Sequence, residues 1–209
     1  MATRVLELIE DRLDAGAGVS LPAANRIVYI VEGEVQVQSD GSSECITPNE
    51  ARHSSGEVTL RAGESGARIW RWELTAGGVQ GMVKLRAAIP IDEDAEYLMR
   101  CDRVDFPLGG IAYTHTHQGP GIRCLFMGEF DVTVDGRTKH LHPGDAWFEA
   151  GPDPVYAEAS KTELTAFIRV MVLPRRLLGQ SSIRYVKAED ADKPKTQTYT
   201  VFVDEPIEV

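Results

Sequence analysis

The sequence predicts an all-β fold made of two successive copies of one β-unit, with a short helix in front and an extended β tail behind. Three observations predict it. From about residue 26 onward, short runs of alternating β-branched and aromatic residues, such as RIVYIVEGEVQV, ARIWRWELT and ELTAFIRVMVL, are separated by Gly, Pro, Asp and Asn, the signature of a β-sandwich or barrel. Residues 26–56 lie over residues 121–151 at a shift of 95 without a gap. Helical spacing is confined to the first residues, MATRVLELIEDRLDAGAG.

In that opening stretch Val5, Leu6, Ile9 and Leu13 fall on one helical face with charges between them, and glycines end the run. This predicts a docked amphipathic helix over 1–18, with neither the apolar core of a signal peptide nor the length of a membrane span. The self-overlay then sets the organisation. Ile27 meets Ile122, Gly33 meets Gly128, Glu34 meets Glu129, Val37 meets Val132, Asp40-Gly41 meets Asp135-Gly136, Pro48 meets Pro143, Ala51 meets Ala146 and Gly56 meets Gly151. Turn glycines, turn prolines and apolar positions are what two copies of a β-fold retain. The expected units are 19–96 and 97–175. In the tail, 176–209, SSIRYV and TQTYTVFV read as strands on either side of a charged loop. A tail of this kind cannot bury both faces alone and is expected to pack on the barrels or on a partner subunit.

Composition narrows the function. With 22 Lys+Arg against 32 Asp+Glu the formal charge is −10, and the few basic pairs form no stripe, so nucleic acid and anionic membranes are poor partners. Cys45, Cys101 and Cys124 stand far apart with no CxxC spacing, which suggests neither disulfides nor a zinc knuckle and makes a reducing cytoplasm the default. A small molecule is the expected partner, and the edge strands and tail make a homodimer plausible.

The second unit carries the chemistry-bearing motif. Gly110 leads into YTHTHQGPG and IRCLFMGEF, and further on stands DGRTKHLHPGDAWFEAGPDPVYAEA. HxH followed by apolar-Gly-Glu, Asp-Gly and Pro-Gly-Asp resembles the two motifs of the cupin superfamily, well over about 105–173 and, through the repeat, weakly over 20–75. The resemblance implies tandem jelly-roll barrels, a bicupin. It also implies a metal centre, although Gly121 stands where the family carries a glutamate and Val155 or Tyr156 where it carries a histidine.

Side chains alternate across a strand, so His115 and His117 share a face with Tyr113, roughly 6.5 to 7 Å apart at Cα. The family's inward parity picks out Arg123, Leu125 and Met127 on the next strand, then Trp147 and Glu149 after the Pro-Gly-Asp corner. At the positions of His115, His117, Arg123 and Glu149 the first unit has Ser20, Pro22, Val28 and Ser54, so only the second barrel is equipped. The expected site is one divalent metal on His115, His117 and Glu149, a two-histidine, one-carboxylate set that suits Fe2+, with Mn2+, Ni2+ or Zn2+ able to substitute. Arg123 would fork onto a substrate carboxylate, and Tyr113 and Tyr156 would be proton donors. For Glu149 the competing reading is an ion pair with Arg123. His140 and His142 flank inward-facing Leu141 and should look outward. The expected function is metal-dependent, dioxygenase-type chemistry on a small acidic or enolic carbonyl compound. The alternatives are a non-catalytic small-ligand binder and a metal-independent sugar isomerase or epimerase, whose activity would survive chelation.

Overall fold

A computed structural model describes residues 2–39 and 41–209, so Asp40 of the expected Asp-Gly turn and Met1 lie outside the described residues. The chain divides into two compact units, 1–95 with 207–209, and 96–206. No described helix is long and apolar enough to cross a membrane.

The first unit contains β1 (Ala2–Leu13), β2 (Gly18–Leu21), β3 (Asn25–Ser39), β4 (Ser42–Ile46), β5 (Ala51–Ser54), β6 (Val58–Thr75) and β7 (Met82–Ile91). They hydrogen-bond in the order β4-β3-β6-β1-β7, with β2 on β6 and β5 on β3. The expected N-terminal helix is corrected here. Residues 2–13 are a strand lying between β6 and β7, with Leu8 opposite both Trp72 and Leu85. Because Leu6, Glu7, Leu8, Ile9 and Glu10 are all buried, the strand shows no period-2 pattern. Its Leu and Glu residues read as helix formers until pairing overrides propensity.

The second unit contains β8 (Tyr97–Phe106), β9 (Ile111–His117), β10 (Gly121–Met127), β11 (Phe130–Val134), β12 (Arg137–Leu141), β13 (Ala146–Glu149), β14 (Val155–Ala159) and β15 (Thr165–Pro174). The tail adds β16 (Ile183–Tyr185), a short helix α1 (Ala188–Ala191) and β17 (Thr198–Ile207). Two five-stranded sheets result, β13-β10-β15-β8-β17 and β12-β11-β14-β9-β16. The tail therefore contributes one strand to each sheet. Between them lies one apolar core in which Phe106, Phe130, Trp147 and Phe167 touch one another at ring-centroid distances of 5.1–6.0 Å.

The repeat holds residue by residue. β4 and β5 begin and end 95 positions before β12 and β13, and the registers Arg26↔Ser54 and Gly121↔Glu149 superpose at the same shift. Gly33 and Gly128 both have φ +77°, and a Cβ would meet Gly66 O at 2.1 Å in one and Leu164 O at 2.4 Å in the other. Only glycine tolerates that φ and that approach together.

Trp70 and Trp72 are buried in the first unit, with rings edge-to-face at 6.4 Å. Nearby is a charged cluster that the sequence pattern did not reveal. Arg26 Nε and Arg71 Nη1 each donate to Glu73 Oε1 at 2.5 Å, and Arg71 also pairs with Asp11.

Candidate functional site

β9, β10, β13 and β15 bring His115, His117, Arg123, Glu149 and Arg169 to one cavity of about 30 Å³, walled by Phe130, Trp147, Val155 and Phe167 and by Ile183, Gln197 and Tyr199 of the tail. Four of the six expected site residues meet here. Tyr113 and Tyr156 do not, and for Tyr113 the reason is a β-bulge. His115 pairs with Val155 and Ala112 with Ala157, so three steps on β9 match two on β14. The extra residue reverses the alternation. Ala112 and His115 face inward, and Tyr113 turns outward beneath Lys193, whose Nζ is 4.3 Å from the ring centroid. Tyr156 alternates with the inward Val155 and Ala157 and donates its hydroxyl to Glu158; burial and that bond push its pKa up to about 12. A second irregularity, between Leu125 and Met127, sends Met127 outward, where it is exposed. His140 and His142 are exposed beside buried Leu141.

Both site histidines are fixed through Nδ1. His115 Nδ1 lies 2.7 Å from Tyr113 O. A carbonyl only accepts, so Nδ1 carries the hydrogen and Nε2 keeps its lone pair. His117 Nδ1 lies 3.2 Å from Ser182 Oγ, and its Nε2 is 3.4 Å from Glu149 Oε2. The rings meet edge-to-face at 4.9 Å. Burial lowers the pKa of His115, partly offset by its bond to Tyr113 and by Glu149. His117 is lowered further, by burial and then by the charges of Arg123 and Arg169. Both are neutral imidazoles at pH 7.

The charged groups come in pairs. Arg123 Nη2 lies 2.7 Å from Glu149 Oε2, and Arg123 Nη1 donates to Gly121 O at 2.6 Å. Trp147 Nε1 donates to Glu149 Oε1 at 2.8 Å. Arg169 holds Asp102 with two bonds, of 2.8 and 2.6 Å. Burial pulls Arg123 down to about 10, against the pull of Glu149, which leaves it cationic at neutral pH. Three buried atoms around this cavity have no hydrogen bond from the protein: Arg123 Nη2 and Glu149 Oε2, which are close but misaligned, and Gln197 Oε1.

No protein-family model matches the sequence, and no curated protein matches it. Solved structures do. The chain superposes on a point mutant of Bacillus subtilis oxalate decarboxylase OxdC with a TM-score of 0.68 at 14% identity, over 91% of this chain and 74% of that one. AerE from Microcystis aeruginosa gives 0.62 at 10% identity over 83% and 88%. A cupin 2 conserved barrel domain protein from Leptotrichia buccalis gives 0.54 at 13% identity over 82% and 85%. The fold is a bicupin. Mn(II) centres are named for the Bacillus subtilis oxalate decarboxylase; whether this chain could hold the metal expected from its sequence is a separate question.

The donor set answers it from the side chains. Among the described residues no group of three or more His, Cys, Asp or Glu is arranged to hold a metal ion. The two imidazoles present suitable lone pairs, but Glu149 is engaged by Arg123 and Trp147, and two guanidiniums line the same space. A divalent cation would be repelled by both guanidiniums, whose charges add to burial in lowering the pKa of His117. Gly121 cannot supply the missing carboxylate, since a Cβ there would lie 2.4 Å from Val170 O and 2.8 Å from Met171 Cγ. As arranged, His115, His117 and Glu149 do not fit a metal centre.

Sequence reasoning missed Arg169, Ser182, Gln197 and Tyr199. Arg169 was visible as a lone charge in the apolar run TAFIRVMVL, and it sits directly across from Arg123. The other three belong to the tail, whose path across the barrel no local pattern encodes.

Proposed function

We propose that the second barrel is a small-molecule site that works by proton transfer between side chains, the metal-independent isomerase or epimerase alternative. One observation carries this reading: a neutral histidine with a free Nε2 and a phenol line the same cavity. Burial raises the Tyr199 pKa, which keeps the phenol protonated as a donor. His115 Nε2 would take a proton from carbon next to a carbonyl. Tyr199 would steady the enolate oxygen with its hydroxyl, and the proton held on His115 Nε2 would return to the neighbouring carbon, which moves the carbonyl and restores the neutral imidazole. The cavity is small, so only the reacting end of the substrate enters it.

The test is C–H exchange in D₂O, followed by NMR on a panel of hydroxy-carbonyl compounds with and without chelator. Exchange that survives chelation and falls on the order of 10²-fold or more in His115→Ala supports the reading. Activity lost on chelation, with near-stoichiometric Fe, Mn, Ni or Zn in the protein, overturns it in favour of metal-dependent dioxygenase-type chemistry. Binding without exchange or turnover leaves a ligand-binding barrel.

A further inference from the structure

Outside the small cavity lies a larger cleft of about 590 Å³, bounded by β8, β15 and the tail. Arg169, Ile183 and Tyr199 line both spaces, so anything seated in the cleft abuts the histidine cavity. Its volume lies within the range of small-ligand pockets, about 300–1,000 Å³.

The cleft is preformed. From β8, Arg100 reaches the tail at three points: it forks onto Asp204 with two bonds of 2.9 Å and donates to Gln180 O at 2.7 Å and Leu177 O at 2.6 Å. Asp204 in turn accepts from the Gly179 N–H at 2.7 Å. A wall held this way needs little ordering when a ligand arrives.

Its chemistry is selective. Tyr185 and Tyr199 supply rings, and Val201, 54% exposed, adds an apolar side. Of the three cations lining it, Arg100 is closed by Asp204 and Arg169 by Asp102. Lys195 has no carboxylate partner among the described residues, and its Nζ stands 5.6 Å from the Tyr185 ring centroid. In a chain of net charge −10, a cleft with a surplus cation favours an anion.

We propose that this cleft binds a ring-bearing monocarboxylate, its ring against Tyr185 and Tyr199, its carboxylate on Lys195, and its far end directed past Arg169 toward His115. That this ligand is a substrate rests on the function proposed above; that it binds here does not.

Isothermal titration of the full chain with 4-hydroxybenzoate, 4-hydroxybenzyl alcohol and acetate tests it. The acid should bind at least tenfold more tightly than the alcohol, and acetate should not register. Lys195→Gln should abolish the preference for acid over alcohol, and Tyr185→Leu should weaken both ring compounds. His115→Asn should leave binding intact, so a failure of the proton-transfer reading would not be mistaken for a failure of this one. No binding of the acid, equal binding of acid and alcohol, or a preference that persists in Lys195→Gln each overturns the proposal. Lys195 and Tyr185 lie on the tail rather than in a barrel core, so those two variants should fold, and unchanged circular dichroism would establish that all three do.

Discussion

Arg123 and Glu149 are buried together as an ion pair, Nη2 to Oε2 at 2.7 Å. A buried ion left without its partner costs several kcal/mol, whereas replacing both by apolar groups of similar volume is often neutral. Arg123→Met alone or Glu149→Leu alone should therefore cost about 3–5 kcal/mol in urea unfolding, and the double variant should recover most of the loss. Additive losses would mean that the two do not act as a pair. The histidines give a pH signature. Burial depresses both below the ordinary value of 6.5, so between that value and the lower folded ones the unfolded chain takes up protons the folded chain refuses. Stability should fall as the pH drops from 7 toward 5, and His115→Asn/His117→Asn should flatten the dependence of the thermal midpoint over that window. A parallel pH profile in the variant would remove these two residues as its cause.

At the scale of elements, legibility followed how local the signal was. Turn residues carried the repeat: Gly33 and Gly128 share one backbone requirement, and the hairpins around them keep one register. The inward direction of Arg123, Trp147 and Glu149 was legible because β10 and β13 pair without interruption from Gly121 to Cys124. Tyr113 was misplaced because a single extra residue in β9 reverses every side chain on one side of it, and nothing in YTHTH announces a bulge. β1 failed for another reason: burial on both faces erases the alternation by which strands are recognised. A discriminating measurement exists. Leu8 lies off the apolar face of the expected helix but is fully buried in the observed strand. Leu8→Ala should then cost about 2–5 kcal/mol by chemical denaturation, whereas a helical segment would lose almost nothing at that position.

At the scale of the whole molecule, two units of one ancestry of form have diverged in what they enclose. The first fills its interior with Val28, Ile30, Val35, Ile46 and Ile69, and at the positions of the second unit's histidines, arginine and glutamate it carries Ser20, Pro22, Val28 and Ser54. The second keeps an aromatic core and sets beside it a cavity lined by His115, His117, Arg123, Glu149 and Arg169. The tail explains why one barrel alone could diverge in this way: its strands complete the two sheets of the second unit and deliver Ser182, Gln197 and Tyr199 to the cavity. Because each unit has its own core, damage should stay where it is made. Phe130 touches Phe106, Trp147 and Phe167, and Phe130→Ala should cost about 3–5 kcal/mol. Native-state hydrogen exchange should show the loss as weakened protection across β8 to β17, tail included, while β1 to β7 keep the protection of the parent. Equal loss in both halves would mean that the chain unfolds as one cooperative body, and the second site could not then be altered without cost to the first barrel.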